Sequence, residues 1–226
     1  MWPDMVLVYP LRVRRATLIN YTYLVVHRSS REALLIDPGA EPDVILEQIA
    51  RSHCQVKGIL LTHHHQDHTA LASFFAHCFQ VPVYMSRIEQ EFHGFTCDGL
   101  QLFTPGQALN IGELAIFPWH TPGHTKGGVC YQVTDHLFTG DTLFPEGCGM
   151  CFGLGSDPVD MYNSLQQLRR HIDPAVRIYP GHSYGTDPGV SFGYILKNNI
   201  YFHLKEITAF VAFRMRKHQR GLFNFK

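Results

Sequence analysis

The chain has 226 residues, enough for one large domain or a domain with a short extension, and 45% of them are hydrophobic, enough for a substantial core. Nineteen Lys and Arg balance nineteen Asp and Glu, so the overall charge singles out no class of partner. No run of about 18 apolar residues occurs, which argues against a membrane span. The first ten residues lack the basic-then-apolar order of a secretory signal. The six cysteines, at 54, 78, 97, 130, 148 and 151, are therefore expected to be free thiols in a reducing cytoplasm.

In chain order, Met5 to Tyr9, Asn20 to Val26 and Glu32 to Ile36 read as strands, being rich in β-branched and aromatic residues. The polar segment from His27 to Arg31 makes a hairpin turn, and Asp37-Pro38-Gly39 closes the third strand. Asp37 fits either a turn or a hydrogen-bonded support for a metal ligand. A helix follows, with Pro42 near its start and Val44, Ile45 and Ile49 at helical spacing. Gly58-Ile59-Leu60-Leu61 is an apolar run of the buried-strand kind, and it ends at Thr62-His63-His64-His65-Gln66-Asp67-His68. In extended backbone alternate side chains share a face, so His63, His65 and Asp67 can point one way. A helix starting near Asp67 can bring His68 round. Imidazole and carboxylate donors at this density, without cysteine, read as a catalytic metal site rather than a closed structural one.

Thr69 to Phe79 reads as an amphipathic helix, Val81 to Tyr84 as a short strand, and Ser86 to Phe92 as a helix. Leu114 to Phe117 resumes strand character. The tight loop Thr121-Pro122-Gly123-His124-Thr125 sets His124 at its elbow. A hairpin of Cys130 to Val133 and His136 to Thr139 delivers Gly140-Asp141-Thr142, and an Asp at a strand end beside Gly is well placed to bridge two metals. Cys148 and Cys151 match half of a zinc ribbon or a redox pair, and have no second pair to complete a ribbon. Val159 to His171 reads as a helix with Met161, Tyr162, Leu165 and Leu168 on one face. Arg177 to Tyr179 is a strand ending at Pro180-Gly181-His182, and Tyr194 to Lys217 reads as mainly helical. From Lys197 onward, seven Lys or Arg stand against one Glu, so this region should attract anions. Ligand candidates at the ends of different strands, each followed by a turn, are what a catalytic site at a sheet edge requires.

This series of motifs resembles the metallo-β-lactamase superfamily and, within it, the glyoxalase II-like thioester hydrolases. The matching stretches are T-H-H-H-x-D-H at 62–68, T-P-G-H-T at 121–125, F-T-G-D-T-L-F at 138–144, G-C-G at 147–149, M-Y-x-S-L at 161–165 and P-G-H at 180–182. The resemblance implies a four-layer αββα sandwich of mixed α and β structure. Residues 1–190 would form the catalytic domain, and 191–226 a basic helical extension packed on it. It implies that His63, His65 and His124 bind one metal, that Asp67, His68 and His182 bind a second, and that Asp141 bridges them. Two Zn²⁺ are the default, and iron or manganese suits the same donors. A hydroxide bridging the metals would attack a thioester carbonyl, with Asp67 helping to place its proton and no Ser or Cys nucleophile required. An Asp at 141, where some lactamases carry a Cys ligand, argues against a β-lactam specialist.

Substrate positions depart from the glutathione-using members. The basic residue usual after G-C-G is replaced by Met150, and the aromatic at the following matched position is Phe152, without a hydroxyl. Tyr184 matches a substrate-contacting Tyr, and Arg214 with Lys217 keeps an R-x-x-K spacing that would share one helical face. An anionic thiol carrier without glutathione's full set of contacts fits phosphopantetheine, on coenzyme A or on an acidic acyl carrier protein. The chain is also similar to the small zinc-dependent hydrolases of bacterial polyketide clusters, a resemblance that would imply a role in polyketide or antibiotic biosynthesis. The alternatives are a hydroxyacylglutathione hydrolase (glyoxalase II) and a persulfide dioxygenase using one iron. A nuclease would need a broad basic patch or an added arm, and none is evident, so no nucleic-acid or membrane partner is expected.

Overall fold

The computed structural model describes residues 5–217, 219, 221 and 223–226. The chain opens with β1 (Val6–Arg15), β2 (Leu18–His27) and β3 (Glu32–Ile36). It continues through α1 (Pro42–Ser52), β4 (Gln55–Leu60), a single turn α2 (Gln66–Thr69), α3 (Ala72–Phe79), β5 (Val83–Ser86), α4 (Arg87–His93) and β6 (Leu100–Phe103). These six strands form one sheet in sequential order, antiparallel from β1 to β3 and parallel from β3 to β6. Parallel neighbours need a crossover, and α1, α3 and α4 lie on the connections.

The second sheet contains β7 (Leu109–Ile111), β8 (Leu114–His120), β9 (Val129–Val133), β10 (His136–Gly140), β11 (Arg177–Pro180) and β12 (Val190–Ser191). The long α5 (Pro158–His171) makes the crossover between parallel β10 and β11. The described chain then runs through α6 (Phe192–Asn198), a 3₁₀ turn at Ile200–Phe202 and α7 (Ile207–Arg214).

Side-chain alternation along the strands creates three apolar layers. Tyr23, Val25, Leu34 and Ile36 of the first sheet meet Tyr131, Val133, Phe138 and Tyr179 of the second. The opposite faces of the same strands carry Leu24, Val26 and Leu35, which pack with Ile45, Ile49 and Phe75 from α1 and α3. On the far side, Cys130, Leu137 and Ile178 pack with Met161, Leu165 and Leu168 of α5 and with Phe192, Ile195 and Phe210 of α6 and α7. The order is helix, sheet, sheet, helix, the αββα sandwich that the resemblance implies. Residues beyond 190 contribute to the third layer directly.

The structure differs from the sequence reading at several places. The first strand runs on to Arg15 through Pro10, which a sheet edge tolerates because its missing N–H costs no ladder bond. Strands β6 and β7 lie between Phe92 and Leu114, where the sequence reading assigns no strand, being only four and three residues long. The C-terminal helical stretch is broken at the buried Asn199, whose side chain accepts from Tyr201 N–H and donates to the carbonyls of Phe144 and Gly147. This amide ties the C-terminal helices to the glycine-rich loop beside the site. Among the described residues, no helix is long and apolar enough to cross a membrane.

Candidate metal centre

Strand ends from both sheets converge on one edge of the sandwich. The segment after β4 supplies His63, His65, Asp67 and His68; the β8–β9 loop supplies His124; the end of β10 supplies Asp141; the end of β11 supplies His182. Two clusters form, His63–His65–His124 and Asp67–His68–His182, each with ligand atoms within 4.8 Å of one another. In the first, His65 Nδ1 lies 3.1 Å from His63 Nε2 and 3.0 Å from His124 Nε2. Three ring nitrogens converging this closely cannot all be satisfied by protons, but they suit a shared cation.

Asp141 touches both clusters. Its Oδ2 is 3.5 Å from His124 Nε2 and 3.5 Å from His182 Nε2, and its Oδ1 is 3.4 Å from His68 Nε2. Oδ1 is buried without a hydrogen bond of ordinary geometry. A carboxylate so placed fits a bridge between two ions. Gly181 leaves room for it: a Cβ there would sit 2.5 Å from both Asp141 Oδ1 and His68 Cε1. Gly181→Ala is therefore expected to displace ligands of the second cluster, and metal analysis of the folded variant should show lost occupancy there.

A surrounding layer aims the rings. His124 Nδ1–H donates to the Met150 carbonyl at 2.7 Å and His182 Nδ1–H to the Ile19 carbonyl at 2.7 Å, which turns both Nε2 atoms inward. His68 Nδ1 donates to Asp37 Oδ2 at 3.0 Å. Asp37 also accepts from Thr62 N–H at 2.8 Å and Thr62 Oγ1–H at 2.6 Å, and so serves both as turn and as ligand support. The buried Asn20 of β2 donates to Asp67 Oδ2 at 2.9 Å. Asn20 carries no local signal beyond being polar in an apolar strand, and its role becomes visible only in three dimensions.

The two clusters differ in charge. Burial pushes His63 and His124 below the usual histidine range and takes His65 to about 4, so the first cluster is neutral. Burial also opposes charge on His68 and His182, but Asp141 and Asp67 beside them overcome it, leaving His68 well raised and His182 at about 9. Asp67 and Asp141 are held low by the same histidines against their own burial. In the metal-free protein the second cluster thus keeps its imidazolium protons at neutral pH, and an ion entering it must expel them. Affinity there should fall as pH drops from 9 to 6, by roughly tenfold per pH unit for each proton expelled, while the first cluster changes little. Metal titrations at pH 6 and pH 8 check this; equal sensitivity of both ions would contradict it.

The substrate candidates fall differently. Met150 joins the site through its backbone carbonyl, and Phe152 is 54% exposed. Tyr184 lies against Phe144 and Phe225. Phe225, which the sequence reading did not single out, stacks on His182 at 3.9 Å. Arg214 and Lys217 do not share a helical face. Helix α7 ends at Arg214, a residue 3% exposed whose guanidinium is bonded to the Cys148 carbonyl, Tyr201 Oη and Gln219 Oε1. Lys217 lies beyond the helix on the surface. The i, i+3 argument fails because the helix it assumes stops. Cys148 and Cys151 are free and buried, and burial pushes both thiols to about 12, unlike reactive thiolates.

Fold and site together define an αββα scaffold with a His/Asp cluster suited to metal ions at the sheet edge. The chain belongs to the Metallo-beta-lactamase superfamily, whose profile matches residues 16–182. It is 45% identical over 207 residues to the "Probable polyketide biosynthesis zinc-dependent hydrolase BaeB" of Bacillus velezensis, covering 92% of each chain. It is 34% identical over 188 residues to a hydroxyacylglutathione hydrolase of Shewanella loihica, covering 80% of this chain and 67% of that one. Among solved structures, ETHE1 from Myxococcus xanthus superposes with a TM-score of 0.83 at 25% identity, covering 96% of this chain and 95% of that one.

Proposed function

We propose that this chain is a dinuclear metal-dependent hydrolase of acyl thioesters borne on phosphopantetheine, on an acyl carrier protein or coenzyme A. The observation that carries the reading is Asp141, which reaches ring nitrogens of both clusters. His63, His65 and His124 would hold one Zn²⁺, Asp67, His68 and His182 the other, and Asp141 both. Iron or manganese would suit the same donors. When bound, a pair of such ions supplies a water of lowered pKa and stabilises charge developing on a carbonyl oxygen. Asp67 is kept ionised beside the centre and anchored by Asn20, so it can accept a hydrogen bond from a water there and help place that water's proton. The chain's own thiols have no part, since Cys148 and Cys151 are buried and protonated.

Two observations favour phosphopantetheine over glutathione. Met150 brings no charge to the site, and Arg214 is withdrawn into the core beneath Phe152. The similarity to BaeB, named as a hydrolase of polyketide biosynthesis, supports the same setting. We place the protein in the cytoplasm, where six free cysteines would stay reduced. In competition, kcat/KM for an acyl-phosphopantetheine thioester should exceed that for lactoylglutathione by at least about tenfold, a difference of roughly 1.4 kcal/mol in transition-state binding. The reverse preference would restore the hydroxyacylglutathione reading. A persulfide dioxygenase would instead bind one iron and consume oxygen.

A further inference from the structure

We infer that Glu89 of α4 is a positioning residue for the first ligand cluster, tying together the two loops that carry His63, His65 and His124. This rests on the metal-binding part of the reading above and is independent of the substrate. The Glu89 side chain is 0% exposed. Its Oε1 accepts from His64 N–H at 3.0 Å and lies 2.6 Å from His64 Nδ1. Its Oε2 accepts from Gly127 N–H at 2.8 Å. One oxygen therefore serves the loop on which His64 sits between two ligands, and the other serves the loop three residues beyond His124. The second loop lies directly on the helix backbone: a Cβ at Gly127 would come within 2.1 Å of Glu89 N. Burial opposes a charge on this carboxylate, and the donors from His64 and Gly127 outweigh it and keep it ionised. His93, one turn along α4, stacks on the His64 ring at 3.7 Å and 15° and clamps it in place.

His64, Glu89 and His93 could also be taken for a third cation site, because His93 Nε2 is buried without a hydrogen bond and lies 3.9 Å from Glu89 Oε2. The ring geometry argues otherwise. The rings of the first cluster stand at 80° to 85° to one another, fanned about a common point. His64 and His93 lie parallel, and the 2.6 Å separation of His64 Nδ1 and Glu89 Oε1 is that of a charge-assisted hydrogen bond.

The test is a Co²⁺ titration of the full chain, wild type and Glu89→Gln, followed by visible absorption and chelator competition, with a thermal melt of each metal-free protein. Glutamine keeps one acceptor and puts an N–H₂ group against the other donor, so one loop loses its anchor. One of the two ions should weaken by roughly 10–100-fold, the usual effect of losing such a support, and the other should change by less than about threefold. Asn20→Ala should weaken the opposite ion. If Glu89→Gln does not fold, His64→Phe removes one of the three bonds and should show the same selective weakening. A folded variant that binds both ions like wild type overturns the inference. So does a third bound ion in wild type that is lost in His93→Ala. Wild type that binds no ion fails the metal-centre reading itself, which separates the two failures.

Discussion

Replacing Asp141 with alanine should lower hydrolytic turnover by at least about 10³-fold and reduce bound metal from two ions to one or none. The carboxylate approaches both clusters, at 3.4–3.5 Å from His68, His124 and His182. With Asp67 it keeps His68 and His182 charged against their burial, and its loss moves both rings back toward neutrality instead of leaving them as unpaired buried cations. The fold should therefore survive, since Asp141 lies outside all three apolar layers. Metal analysis, circular dichroism and turnover on one preparation check the prediction. A folded variant that keeps two ions and turnover within about tenfold would remove the bridging role.

Asp37→Ala has the opposite character: a large loss of stability as well as of metal. Asp37 is buried at the end of β3 and accepts three hydrogen bonds, from Thr62 N–H, Thr62 Oγ1–H and His68 Nδ1–H. Alanine would strand all three donors in a site closed to water, at about 1–3 kcal/mol each and less than additively, for a total of about 3–5 kcal/mol. It would also have to adopt a φ of 50°, which Asp tolerates better than Ala. At 2–4 °C per kcal/mol for a chain of this size, the melting temperature should fall by roughly 10 °C. His68 would lose its orientation, so the ion of the second cluster should weaken too. Asp37→Asn keeps an acceptor and should fall between. A melting temperature within about 2 °C of wild type would show that Asp37 is only a turn residue.

The candidate ligands were legible in the sequence because each follows a strand in a short local motif. His63, His65 and His124 meet in one cluster, and Asp67, His68 and His182 in the other, as the family resemblance implied. Asn20 and Glu89 were not legible, because their partners lie 47 and 38 residues away and only tertiary contact reveals the pairing. Glu89 in isolation reads as one more polar residue on a short helix. The misreading of Arg214 and Lys217 has the same origin in reverse. A spacing carries meaning only while the helix lasts, and α7 ends at Arg214. Strands β6 and β7 are too short for alternation to register, and sheet pairing rather than propensity makes them strands.

The most direct measurement is thiol release from an acyl-phosphopantetheine thioester by the protein with its metal content determined, before and after chelation and again after restoring Zn²⁺. The expected result is two ions per chain, steady thiol release, loss of release with the chelator and recovery with the metal. Protein that holds two ions and releases no thiol from any thioester, whether carrier-bound, coenzyme A or glutathione, would contradict it.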